Sequence, residues 1–291
     1  AHRLESYAML WFSEDTGEQE SLAFKGEIER LVTDAQNRVL FFNLWWKSVD
    51  EQVADRLMPC VSDDLLYYLK RQRDFKPYML PEREEQLINI KDINGVNALT
   101  TVYAMLTNAY RFRLTVEGED KELTRDALMS YVRKSDPEIR EAAYQALYKI
   151  YAKDGLVLAQ IYSSRVVDWY EEQVKLRGFV APISVRNLGN DIPDHVSDVL
   201  LEVCRNNIGV FQRWFRSKAR LLRMDKLRRY DIYAPLSSSE KKYSYDEAVR
   251  MVLETFEKFS PTVSSAAQRV FDEGHIDSEV RPGKRSGAFC L

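Results

Sequence analysis

The strongest constraint on the fold is a long apolar periodicity near the start of the chain. Leu22, Ile28, Leu31, Val32, Ala35, Val39 and Phe42 recur at helical spacing, and the run 41–46 widens that face with further aromatics. Thr16 is placed to cap this helix, and Gln19 to close a capping box. The same grammar continues downstream: a helix is expected over 63–75, and another from Pro81, whose first turns carry Glu82, Glu84 and Glu85. Acids there complement the positive end of the helix dipole. Only 11 glycines and 9 prolines occur in 291 residues, so the composition also favours helices over a loop-rich β architecture.

The pattern changes at Phe112-Arg113-Leu114-Thr115-Val116, which alternates apolar and polar residues. A turn at 117–120 and a second strand at 121–124 make this a β-hairpin between helices. A domain boundary is expected just before it, dividing the chain into 1–110 and 111–291. Ser135-Asp136-Pro137-Glu138 then offers a cap, a first-turn proline and a capping-box acid, for a helix reaching about Lys153 before Gly155. Helices follow over 157–176, from Pro193 to about Met224, from the Ser244-x-x-Glu247 box, and from Pro261 to Gly274. The stretch 186–191 reads as a polar loop, 230–235 as a short strand, and 284–291 as an extended, β-like segment. The expected fold class is therefore mainly α and multi-helical, with a small hairpin and a short β element at the C-terminal end.

Sequence chemistry is sparse. The three histidines, His2, His195 and His275, include no pair one helical turn apart, and no H-E-x-x-H occurs. His195 reads as a solvated residue at a helix start, and His275 as a residue closing a helix end. Carboxylate pairs such as Asp63-Asp64, Glu84-Glu85 and Glu171-Glu172 read as solvated charge, and no G-x-S-x-G, Walker or dinucleotide-binding glycine pattern is present. Catalytic and metal-binding residues are accordingly expected to be absent from this chain.

Cys60, Cys204 and Cys290 are too far apart for a C-x-x-C pair, which argues against a disulfide framework and for the cytoplasm. Apolar runs are short and broken by charge, so no membrane span is expected. Residues 205–229 are strongly basic around Trp214 and Phe215, which invites a nucleic-acid reading. A helix with inward aromatics and long basic stems on its flanks explains the pattern better, and the net charge of −3 gives no global pull toward nucleic acid. Both ends of the chain read as cut.

Arg281-Pro282-Gly283-Lys284-Arg285-Ser286-Gly287-Ala288-Phe289 is the most informative stretch. Small residues around an extended segment let another backbone approach closely, as when a strand edge receives a peptide. On the residues alone, an ordinary core strand is the better account of it.

Together, several pieces resemble the oligoendopeptidase F branch of the thimet-type zinc metallopeptidases. They are Arg3-Leu4-x-Ser6-Tyr7-Ala8 with Glu14-Asp15-Thr16, then Arg186-Asn187-Leu188-Gly189-Asn190-Asp191-Ile192-Pro193, then Tyr230-Asp231-Ile232-Tyr233-Ala234-Pro235-Leu236. Phe259-Ser260-Pro261, Phe271-Asp272 with Ile276-Asp277, and residues 282–289 complete the order. The resemblance implies a two-lobed helical fold around a channel for short peptides, with 1–110 as the N-terminal lobe and 111–291 as the first part of the catalytic domain. It implies zinc in the complete enzyme, held by an H-E-x-x-H helix and a later Glu beyond Leu291. No zinc is expected on this chain, and its macromolecular partner would be the remainder of its own catalytic domain. Gly287, Ala288 and Phe289 correspond to the strand beside the cleft, where substrate backbone would pair. Phe289-Cys290 departs from the Tyr-Ser common in such enzymes, a change of little weight if the strand acts through its backbone. The competing reading is a non-enzymatic helical scaffold that keeps the fold without the metal site.

Overall fold

A computed structural model describes residues 2–236 and 241–291. Helix α1 (His2–Glu14) packs antiparallel on α2 (Gln19–Ser48) through Ala8, Phe24, Ile28 and Val32. Short α3 (Glu51–Leu57) and α4 (Asp63–Asp74) close over Trp46, whose indole N–H donates to the Leu69 carbonyl at 2.8 Å. Next come α5 (Glu82–Asn94) and α6 (Val96–Asn108), separated by Gly95, where an added Cβ would lie 2.9 Å from the Lys91 carbonyl oxygen.

The hairpin is present as read, with β1 (Phe112–Val116) antiparallel to β2 (Glu119–Leu123) in the register Phe112↔Leu123. Its turn residues Glu117 and Gly118 both have positive φ, the requirement of the tight turn that matches strand twist. The alternation in β1 sends Phe112, Leu114 and Val116 inward. They meet Leu128 of α7 (Arg125–Tyr131), Ala143 of α8 (Pro137–Lys153) and the intervening Val132. One ion pair lies under this core. Arg140 is 1% exposed and donates to Asp231 Oδ1 at 2.8 Å, and Asp231 is 0% exposed. Arg140 also donates to the carbonyls of Lys134 and Ser135, so the buried guanidinium has partners on several sides.

Helix α9 (Gly155–Trp169) runs on into a π-helix, Tyr170–Leu176, in which the Arg177 amide donates to the Glu172 carbonyl five residues back. Beyond it lie α10 (Pro182–Gly189), α11 (Asp194–Asn206), α12 (Ile208–Leu221), α13 (Tyr245–Phe259) and α14 (Pro261–Asp272). The last two pack on one another. The mainly α expectation holds, and among the described residues the hairpin is the sole sheet.

Several local expectations need correction. Thr16 caps no helix: α2 starts at Gln19, and the Thr16 hydroxyl donates instead to the Gly283 carbonyl at 2.9 Å. Asp136, rather than Ser135, caps α8 through its carboxylate on the Glu138 amide, because Pro137 already fixes N1. The Ser244–Glu247 capping box is present in both directions. The stretch 186–191 is helical through Gly189, since the Asn187 side chain turns inward to bond Asp194 and Ser197. The helix expected from Pro193 to Met224 breaks at Asn207 into two.

Residues 230–235 form a short 3₁₀ turn, Arg229–Asp231, rather than a strand: Asp231 bonds back to the Arg228 amide and Arg140, and no neighbouring strand offers a ladder among the described residues. Residues 284–291 are likewise irregular, without a β partner. Leu31, Val39 and Phe42 of α2 are largely exposed, because its apolar face is wider than the helices that cover it. Trp214 and Phe215 are also exposed rather than inward, since α12 buries only Lys218 and Ala219.

Candidate functional site

The segment singled out by the sequence, 281–289, lies where two distant parts of the chain converge. On one side is the corner between α1 and α2. Both the amide and the hydroxyl of Thr16 donate to the Gly283 carbonyl at 2.9 Å, and the Arg285 amide donates to the Ser13 carbonyl at 2.9 Å. Gly283 has φ +82°, and an added Cβ would sit 2.3 Å from Asp15 Oδ1, an oxygen already accepting from the Gly17 amide. Only glycine suits that position. On the other side Ser286 is held by three groups. Its amide donates to Asn108 Oδ1 at 3.3 Å, its hydroxyl donates to Asp126 Oδ1 at 2.8 Å, and that hydroxyl accepts from Arg125 at 2.8 Å.

The basic residues of the segment are used internally. Arg281 forks onto Asp277 at 2.8 Å and reaches Glu14 at 3.4 Å. Lys284 donates to the carbonyls of Asp277 and Glu279 and pairs with the Asp277 carboxylate. The Arg281 bonds, joined by Lys284, hold the Asp277 carboxyl down to about 2. The Arg285 guanidinium lies over the Phe289 ring at 4.8 Å. Beyond these ties Gly287, Ala288 and Phe289 are exposed, with Gly287 at φ +97°.

A second convergence joins α5 to the end of the π-helix. Arg177 places one N–H on each oxygen of Glu85, at 2.7 and 2.8 Å, and a third on Glu172 at 2.7 Å. Tyr78 stacks on Phe179 with centroids 3.5 Å apart. Beside this knot, carboxylate oxygens of Asp92, Asp168 and Glu172 lie within 4.8 Å of one another. Burial, then the charges of Glu172 and Asp168, push Asp92 up to about 6. This is the one set of three or more His, Cys, Asp and Glu ligands brought together among the described residues. It contains no imidazole or thiolate, and Glu172 is already committed to Arg177. It does not fit the nitrogen- and sulfur-rich donor sets typical of zinc. His2, His195 and His275 are all exposed, and none joins it.

Sequence reading missed Ser13, Asn108, Arg125 and Asp126, and gave Thr16 a different role. Their contacts with 283–286 span 160 residues or more, so no local pattern announces them. The polar run 186–191 also has a role: Arg71 donates to the Leu188 carbonyl, and Tyr67 donates to Asp191 at 2.7 Å, tying α10 to α4.

Comparison with known proteins agrees with the fold. A profile described as Peptidase family M3 matches residues 130–291. Group B oligopeptidase PepB of Streptococcus agalactiae is 30% identical over 218 residues, covering 74% of this chain and 36% of that protein. Oligopeptidase PepF of Bacillus subtilis is 24% identical over 298 residues, covering 99% of this chain and 43% of that protein. The crystal structure of oligoendopeptidase-F from Enterococcus faecium superposes with a TM-score of 0.72 at 21% identity, covering 98% of this chain and 60% of that one. The chain spans between 28% and 48% of the length of the curated relatives it matches. With a family profile over more than half its residues and this shared multi-helical fold, the chain belongs to peptidase family M3, in its oligoendopeptidase F branch.

Proposed function

We propose that this chain is part of a zinc-dependent oligoendopeptidase that hydrolyses internal bonds of short peptides. The observation that carries the reading is the family M3 match over 130–291, which includes the exposed residues 287–289. On this reading 1–110 is the N-terminal lobe and 111–291 the first part of the catalytic domain. Zinc and the groups that activate water come from residues outside this chain, so no step of bond cleavage is assigned to the residues within it. Gly287, Ala288 and Phe289 offer main-chain donors and acceptors to the substrate backbone. Such bonds ignore side-chain identity and suit a peptidase of broad specificity. The bare apolar faces of α11 to α14 are the surface we assign to the remainder of the catalytic domain. No described helix is long and apolar enough to cross a membrane, and three exposed free cysteines suit the reducing cytoplasm we assign to it.

The test uses the complete gene product with an internally quenched peptide, alongside this chain alone. Expected results are chelator-sensitive cleavage by the complete protein and neither stoichiometric zinc nor turnover in the 291-residue chain. Ala288→Val in the complete protein should lower catalytic efficiency sharply while zinc content and Tm stay near wild type; Gly287→Val should lower it too, with backbone strain at φ +97° added. A stop codon directly after Leu291, with no cleavage by any form, would favour the scaffold reading instead.

A further inference from the structure

We propose that Thr16, in the corner between α1 and α2, is a positioning residue for the peptide-binding segment 287–289. This rests on the peptidase reading above and assigns part of its substrate site to a residue more than 260 positions away. Among the described residues the segment has no ladder and no helix to set its path, and a few long-range bonds hold it in this chain. Thr16 supplies two of them to one acceptor, its amide and hydroxyl both meeting the Gly283 carbonyl at 2.9 Å. Thr16 is 1% exposed although it belongs to no helix, so its hydroxyl is shielded from water and committed to that carbonyl.

The Arg285 amide on Ser13 fixes the chain two residues on, and Ser286 is fixed by Asn108, Arg125 and Asp126. Residues 283 to 286 are therefore pinned from both sides. Gly287 begins directly after the last pin, and three residues extend no more than about 11 Å from it. A shift of the corner moves the peptide-binding backbone with it. Gly283 makes the coupling tight: its left-handed φ and the Asp15 carboxylate against its Cα leave no slack for a larger residue.

Binding to a substrate's main chain is felt equally in the ground and transition states, so loosening the segment should raise KM more than it lowers kcat. A purely structural Thr16 would instead lower Tm or the active fraction and leave KM alone. The experiment compares wild type, Thr16→Val, Thr16→Ser and Ser286→Ala in the complete gene product. It combines steady-state cleavage of a quenched peptide with amide hydrogen exchange over 283–289. We expect Thr16→Val to speed exchange at Arg285 and Ser286 at least tenfold and to raise KM about tenfold, with kcat within threefold. Thr16→Ser, which keeps the donor, should restore both, and Ser286→Ala should shift KM in the same direction.

Faster exchange with unchanged KM would overturn the positioning role, and unchanged exchange would overturn the clamp itself. Should Thr16→Val not fold, Thr16→Ser and Ser286→Ala still decide: a raised KM in the serine variant, or an unmoved KM in Ser286→Ala, counts against the proposal. A wild-type protein that cleaves nothing removes the peptidase reading and the substrate role with it. The exchange data then judge the clamp alone.

Discussion

The hairpin core and the arm formed by α11 to α14 are built from equally clear apolar patterns, yet they end in opposite states. Phe112, Leu114, Val116, Leu128 and Ala143 are sealed from water, and beneath them Arg140 and Asp231 satisfy each other. In α11, α13 and α14 no described residue is buried, and Leu200, Leu201 and Phe259 face solvent, as does Phe211 of α12. Periodicity thus specifies a helix and its apolar side, whereas burial needs a second surface. The hairpin finds one in α7 and α8, within about 30 residues of sequence. The arm's helices find one another, α10 and the turn at Ile232, and these cover only part of their apolar faces.

The largest test of this contrast is Arg140→Ala. Removing one member of a buried ion pair strands Asp231, and the expected loss is about 3–5 kcal/mol in urea unfolding. Burial pushes the Asp231 carboxyl up, but the bonds from Arg228 and Arg140 outweigh it and hold it below the usual range. Its contribution is therefore present above the unfolded carboxylate pKa and lost as pH falls through the lower folded value. A loss below about 1 kcal/mol would mean that the core is not sealed around the pair.

A milder comparison deletes the same atoms in both regions. Leu128→Ala should cost roughly 2–5 kcal/mol, since Leu128 is 0% exposed, whereas Leu200→Ala should stay within about 0.5 kcal/mol in this chain. Equal costs would break the contrast. In the complete gene product the proposed covering layer should make Leu200→Ala expensive as well.

The smallest effect belongs to Asp92. Its folded pKa, about 6, lies above its ordinary 3.8, so the folded protein holds the proton more tightly than the unfolded chain. Stability contributed here is complete at low pH and declines as pH rises from about 4 through about 6. Asp92→Asn should leave Tm nearly unchanged below about pH 4 and raise it progressively above that, by a few degrees at about pH 7.5. A gap in Tm that does not widen with pH would contradict this.

What the sequence discloses follows the same division. Phe112 to Val116 alternate, and Ser244 with Glu247 boxes a helix start, because each is decided within a few residues. Thr16 and 230–235 were misread because their partners lie far off: Gly283 takes the threonine hydroxyl, and Arg140 takes the Asp231 carboxylate. For the site, residues 287–289 could be chosen from small-residue composition and resemblance. Ser13, Asn108, Arg125 and Asp126 could not, because nothing local distinguishes a clamp from a solvated loop. The acids Asp92, Asp168 and Glu172 come from two distant stretches, α5 and the α9–π-helix run, and meet only once those have come together.

The bond between Thr16 and Gly283 joins positions 267 residues apart, and this has a consequence for how the protein is made. At ribosomal speeds of about 5–20 residues per second, Thr16 is synthesised roughly 13–53 s before its acceptor. For that interval the Thr16 donors are satisfied by water or by a chaperone's surface. The corner is therefore translated well before the segment that it fastens. Codon choice between the corner and Gly283 can therefore alter the yield of native protein without touching a single contact in the finished fold.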